Sequence, residues 1–200
     1  MAGPVEFFFD FSSPYGFLAS LRIDDIAARH GREAAWKPIL LGAVFKVSGQ
    51  QPLVEIPLKG EYARHDLARF ARLWGTDLRF PPLFPFSSVA ASRAFYWIAA
   101  SDRALATRFA RAAFSAAWRE ERDISRSDTV ADIAAAVGAD RDDALAALLD
   151  PAVKELLRVE VEAAIARGIF GSPFVVVDGE GFWGADRLWQ VEAWLERGGW

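Results

Sequence analysis

The stretch VEFFFDFSSPYGFLAS, residues 5–20, constrains the fold more than any other. Val5 to Phe11 is apolar and aromatic with few polar breaks, the pattern of a strand buried on both faces. It halts at a pair of serines. Ser13 suits a helix N-cap, and Pro14 suits the first helical position, where its missing N–H costs nothing. Phe17, Leu18, Leu21 and Ile26 then recur at helical spacing until Gly31 supplies a stop. AAWKPILL, residues 34–41, reads as a second strand. A strand, a helix and a strand of this kind close a right-handed βαβ unit, which needs helical cover on both faces.

The middle of the chain changes character. Residues 46–60 form a Gly- and Pro-punctuated loop, followed by a helical pattern over 61–75 and a Pro-rich connector at 79–88. Four helical segments are expected at about 88–101, 103–119, 128–137 and 141–167, the last broken near Pro151. Ser127-Asp128 and Asp140 mark helix starts, and Gly138 marks a stop. SPFVVVDGEGFWG, residues 172–184, returns to strand chemistry around a DGEG turn, a β-hairpin. An amphipathic helix closes the chain, with Leu188, Val191 and Leu195 on one face. The order βαβ, helices, ββα is the layout of a thioredoxin-like α/β fold with an all-helical domain inserted between the second and third strands. The expected division is 1–45 and 168–200 for the thioredoxin-like domain and 46–167 for the insertion.

Composition narrows what such a fold can do. With 200 residues, 52% of them hydrophobic, the chain can bury a core as one compact unit. A formal charge of −4 argues against a nucleic-acid partner, which needs a basic face. Charged residues interrupt every apolar stretch, so no membrane span is expected. The first residues lack the basic region of a secretory leader, and the expected location is cytoplasmic. There is no cysteine, so disulfides and thiolate metal sites are excluded, and two separated histidines do not build a zinc site. Eight Trp and sixteen Phe suit an apolar pocket and an ordinary core equally.

Three constellations could carry chemistry. At the strand-to-helix break, Ser13 and Gly16 stand where thioredoxin-like proteins place the two cysteines of a Cys-X-X-Cys motif. A helix N-terminus stabilises an anion there, so a hydroxyl donor could serve a thiolate supplied by another molecule, or Ser13 could simply cap the helix. Disulfide oxidoreductase activity is excluded, because it needs thiols of its own. Ser172-Pro173 falls where this layout puts a cis-proline, and the backbone N–H and C=O of Ser172 would be exposed for an extended peptide, or the pair could simply start the strand in trans. In FWGADRL, residues 182–188, the N–H groups of Ala185 and Asp186 could hold a carboxylate while the Asp186 side chain meets an ammonium, or Asp186 could only cap its helix. The γ-glutamyl end of glutathione carries both charges. Lys46 and Lys59 lie in the loop, where either could face an anion or only solvent. His65 and Asp66 read as surface residues. No P-loop, GxGxxG, EF-hand or GxSxG is present.

FDFSSPYGFLA, LLGAVFKVSGQQP, RFPPLFPF and FGSPFVVVDGEGFWGADRL, spread in order over nearly the whole chain, resemble the 2-hydroxychromene-2-carboxylate isomerase family, relatives of kappa-class glutathione transferases within the DsbA group. The resemblance implies a glutathione-dependent enzyme, usually a homodimer, acting on a small aromatic carboxylate in aromatic catabolism. Ser13 would hold and activate the glutathione sulfur. Gln50, Ser172, Pro173, Trp183, Gly184, Ala185 and Asp186 would complete the glutathione site, and Lys46 would face the substrate. Gln50 stands where the family usually has Asn, Ala185 where relatives often have Asn or Ser, and FPFSS departs from the more common FP-Asn form, so Ser87 and Ser88 would alter the substrate pocket. A glutathione transferase or peroxidase and a non-catalytic peptide-binding module are the competing readings.

Overall fold

The computed structural model describes residues 3–200. Its sheet is built from Val5–Phe9 (β1), Ala34–Pro38 (β2), Phe174–Val177 (β3) and Glu180–Trp183 (β4), in the order β2-β1-β3-β4. β1 runs parallel to β2 and antiparallel to β3, and β3 pairs antiparallel with β4. The parallel pair requires a crossover, supplied by Pro14–Ser20 (α1) and Ile23–Arg29 (α2). Being central, β1 is covered on both faces. Phe7 and Phe9 join the main core, while Phe8 packs with Ile39, Val44, Ile169 and Phe174 on the other face. That two-sided burial is why the strand's sequence lacks alternation.

Several boundaries differ from the sequence expectation. β1 stops at Phe9 instead of Phe11, because Asp10 turns the chain: its carboxylate accepts from Ser12 N (2.7 Å) and its carbonyl from Ser13 N (2.9 Å). The single helix expected up to Gly31 is two. Ser20 Oγ donates to Phe17 O (2.6 Å), and the turn tightens through Leu21 N to Leu18 O and Arg22 N to Ala19 O. α2 restarts with Asp24 and Asp25 in its first turn, where negative charge is favoured. β2 ends at Pro38, three residues early, and the chain enters a helix at Leu41–Ser48 (α3) that the sequence did not announce. Gly42, Val44 and Val47 are weak helix formers, so propensity hid α3. Leu41, Val44 and Phe45 at helical spacing pack it beneath the sheet.

The remaining helices are Lys59–Trp74 (α4), Val89–Ala99 (α5), Arg103–Trp118 (α6), Ser127–Val137 (α7), Arg141–Leu149 (α8), Pro151–Ala166 (α9) and Leu188–Arg197 (α10). Asp150 separates α8 from α9, capping the latter through Ala152 N (2.8 Å), so the expected break near Pro151 is present. One continuous core joins sheet and helices: the Phe114 ring of α6 lies 5.3 Å from that of Phe9 and 5.1 Å from that of Phe11. Trp118, fully buried, donates to Phe11 O (2.9 Å) and is wrapped by Phe80, Phe84 and Phe86 of the connector, which contains a cis Phe84–Pro85 bond. No helix among the described residues is long and apolar enough to cross a membrane.

Candidate functional site

The site begins where β1 breaks into α1. Ser13 is the N-cap of α1, nearly buried at 4% exposure, and Pro14 occupies the first helical position. The Ser13 hydroxyl is used twice: it accepts from Gly16 N (3.0 Å) and donates to Ser172 O (3.0 Å). The Ser172–Pro173 bond is cis. The carbonyl expected to stand open for a peptide is therefore engaged by the candidate catalytic hydroxyl. Ser172 is tied a second time, its Oγ accepting from Asp10 N (2.9 Å). Gly16 lets these turns meet, since a Cβ there would sit 2.8 Å from Ser172 Oγ and 3.1 Å from Ser13 Cβ. In the first turn of α1 Pro14 has no N–H and that of Gly16 is taken, which leaves the Tyr15 N–H without an acceptor inside the helix.

The hairpin brings the third segment alongside. Gly184 N donates to Pro173 O (3.0 Å), which fixes the end of β4 against the cis-proline turn. Gly184 has φ 111°, a left-handed conformation that suits glycine, and a Cβ would meet Asp186 Oδ1 at 2.4 Å. Ala185–Arg187 form a single 3-10 turn leading into α10, so the N–H groups of Ala185 and Asp186 open a helical end as expected. Ala185 is buried. The Asp186 carboxylate is not an unpaired anion: it lies 2.6 Å from the Arg187 guanidinium on the surface. Trp183 is 51% exposed, with its ring edge on that of Phe170 (5.0 Å). The indole lies so close to Gly171 that a Cβ there would fall 2.2 Å from Trp183 Nε1.

Asp10, which the sequence reading left without a role, lies directly beneath this junction at 2% exposure. Its Oδ1 accepts from Ser12 N and from Ser12 Oγ (2.8 Å), and its Oδ2 from Leu41 N (2.6 Å). Burial raises its pKa above the ordinary carboxylate value, opposed by the Leu41, Ser12 and Ser88 donors. Ser88 is buried beside Asp10, whereas Ser87 is exposed. The signal in the sequence was a lone acid closing a run of phenylalanines.

A second pair escaped the sequence reading. Tyr15 Oη donates to Asp66 Oδ2 (2.8 Å), linking α1 to α4. Asp66 was expected on the surface, yet its side chain is only 16% exposed, and Arg69 pairs with its other oxygen. Burial and the Asp66 carboxylate both raise the Tyr15 pKa, and the Asp186 charge adds to them, so Tyr15 keeps its proton among two acids. Lys46 lies on the last turn of α3 rather than in a loop, and Gln50 follows the Gly49 cap; both are exposed and stand outside the hydrogen-bonded cluster at Ser13. Lys59 opens α4, also exposed.

A cavity of about 350 Å³ lies at the C-terminal end of α1, lined by Phe17, Leu21, Asp24, Arg111 and Arg119 among others. Two of its charges pair with each other: Asp24 accepts from Arg111 (2.7 Å), and also from Trp36 Nε1 (3.0 Å). It is separate from the Ser13 cluster, where the first turn of α1 and the cis-proline turn meet on one hydroxyl.

The chain is similar to known proteins over nearly its whole length. The DSBA-like thioredoxin domain matches residues 4–196. The chain is 30% identical over 195 residues to a 2-hydroxychromene-2-carboxylate isomerase of Pseudomonas putida, covering 96% of this chain and 94% of that protein. It is 28% identical over 204 residues to glutathione S-transferase kappa 2 of Caenorhabditis elegans, covering 96% and 91%. A solved structure of a 2-hydroxychromene-2-carboxylate isomerase superposes with a TM-score of 0.88 at 30% identity, covering 96% of this chain and 94% of the other. The chain belongs to the DSBA-like thioredoxin family and, within it, to the 2-hydroxychromene-2-carboxylate isomerase family.

Proposed function

We propose that this protein is a glutathione-dependent isomerase of the 2-hydroxychromene-2-carboxylate type, acting on a small aromatic carboxylate. The observation that carries the reading is Ser13: a buried hydroxyl at a helix N-terminus, hydrogen-bonded to a cis-proline turn, in a chain without cysteine. The names of the relatives support both halves, isomerase and glutathione.

The residues present fit glutathione. The Ser13 hydroxyl and the Tyr15 N–H are the two donors at the α1 N-terminus that would face its sulfur. The Ala185 and Asp186 N–H groups suit the γ-glutamyl carboxylate, and the Asp186 carboxylate, whose Oδ2 pairs with Arg187, would offer its Oδ1 to the ammonium. Glutathione would supply a thiolate that adds to a conjugated double bond of the substrate and leaves after rotation. For Ser13 to donate to sulfur, its proton must leave the Ser172 carbonyl. The Ser172 carbonyl would then be free to accept an N–H of the bound tripeptide. The Gly16 N–H continues to hold Ser13 Oγ and keeps the hydroxyl aimed during the exchange. Lys46 is the proposed cation for the substrate carboxylate, and Gln50 and Trp183 border the tripeptide.

The test is turnover of 2-hydroxychromene-2-carboxylate with and without glutathione, for wild type and Ser13→Ala. Turnover that requires glutathione and falls with Ser13→Ala supports the reading, whereas full activity without glutathione sinks it. The kappa-class relatives favour a second reading, conjugation of glutathione to hydrophobic electrophiles. Consumption of glutathione in step with product distinguishes that outcome from isomerisation, which leaves glutathione unspent.

A further inference from the structure

Asp10 bonds to each of the segments that meet around Ser13. Its N–H donates to Ser172 Oγ in the cis-proline turn (2.9 Å), and its carbonyl accepts from Ser13 N (2.9 Å). Its carboxylate accepts from both donors of Ser12, in the turn that leads into α1, and from Leu41 N, the first residue of α3. The last bond is unusual in kind. Leu40, the N-cap of α3, offers no side-chain cap, so the helix start is held by a carboxylate 31 residues away in sequence. A helix start concentrates unpaired N–H groups and positive potential, and a buried anion is well placed to answer both. Burying a carboxylate at the end of a phenylalanine strand is costly unless donors surround it. Here they do, and they come from separate stretches of the chain.

We propose that Asp10 is a positioning residue that locks the start of α3, and with it the helix carrying Lys46 toward Gln50, to the turn that presents Ser13. The proposal rests on the isomerase reading for the meaning of those residues, but the lock itself is a matter of α1, α3 and the cis-proline turn. Asp10 touches no reacting atom; it sets where the Ser13 hydroxyl stands relative to the helix that would face the substrate.

The experiment compares wild type and Asp10→Asn by amide hydrogen exchange, calorimetric glutathione binding and steady-state turnover. The amide nitrogen of Asn presents a donor to one of the donors that Asp10 now accepts, so one of its bonds is lost at nearly constant volume. Expected are exchange over residues 41–44 accelerated about tenfold with α5 and α6 unchanged, and glutathione affinity within about threefold. Turnover is expected to fall by about 10²-fold, the penalty for displacing a reacting partner by about an ångström. A merely structural role would instead speed exchange across all helices together. Unchanged exchange at 41–44, or unchanged turnover in a folded variant, overturns the proposal. Should Asp10→Asn fail to fold, Ser12→Ala removes one donor and leaves the carboxylate: turnover about fivefold lower with exchange in α5 and α6 unchanged supports the lock, and unaltered turnover overturns it. Wild-type protein that neither binds nor uses glutathione would defeat the functional reading alone, since exchange in α3 still reports on Asp10.

Discussion

At the scale of single residues, Ser13 makes a cap and a donor from one hydroxyl. The N-cap geometry that starts α1 also sets the oxygen against the Ser172 carbonyl, so the structural and chemical roles are the same placement. Ser13→Ala is expected to lose about 1 kcal/mol of stability as a cap but about 10²–10³-fold in kcat as a donor. Thermal unfolding and turnover, measured side by side, separate the two effects. Ser13→Cys places a thiol where a helix N-terminus lowers its pKa, with no other cysteine to resolve it. Incubated with oxidised glutathione, this variant should form a stable mixed disulfide, its thiolate attacking the disulfide and one glutathione thiolate departing; intact-protein mass spectrometry reads the adduct. Gly16→Ala drives a methyl to 2.8 Å from Ser172 Oγ, so a loss of about 1–3 kcal/mol and weaker glutathione binding are expected. Retained melting temperature in Gly16→Ala would contradict that close approach.

At the scale of elements, helix and strand identity followed local pattern where the apolar period was strong, as in β1, α6 and the β3–β4 hairpin. It failed where a bond across the chain decided the outcome. α3 starts because Asp10 holds Leu41 N and because Val44 and Phe45 find the sheet, neither of which is visible in the sequence of residues 41–48. The ends of β1, β2 and α9 are joined by charge: Glu6 meets Lys37 of β2 (2.8 Å) and Arg167, the residue that ends α9 (2.9 Å). Arg167 above all, with Lys37, holds the Glu6 carboxyl down at about 2 against the opposing effect of burial. A depressed carboxylate stabilises the fold fully above its unfolded pKa near 4.5, and the contribution is lost as pH falls through about 2. Melting temperature should therefore fall between pH 5 and pH 2 less steeply in Glu6→Gln than in wild type. Asp10, whose pKa is raised, acts in the opposite sense in both proteins and cancels from the comparison.

At the scale of the whole molecule, the sheet and the inserted helices share one core. Phe9 and Phe11 reach from the end of β1 to Phe114 and Phe95, and Trp118 bonds the backbone just past that strand. The division expected at residue 45 falls inside α3, and apolar packing continues from the sheet into α5 and α6. Phe114→Ala should cost about 3–5 kcal/mol and lower the stability of sheet and helices in a single transition, as circular dichroism and tryptophan fluorescence followed together would show. Two separated transitions would mean that the helices keep a core of their own.

The sequence by itself determined the α/β class, the order βαβ–helices–ββα, the cis-proline position and the capping serine. The class, the order and the cap depend on residues adjacent in the chain, through apolar period and Ser, Pro and Gly punctuation, whereas the cis-proline followed from the place of Ser172-Pro173 in the whole layout. Only the tertiary structure decided what those residues face. It assigned the Ser13 proton to the Ser172 carbonyl, brought Asp66 under the Tyr15 hydroxyl, paired Asp186 with Arg187, and made Asp10 the cap of a helix 31 residues away. Local propensity is written along the chain, whereas a buried polar group is satisfied by whichever donor folding delivers to it.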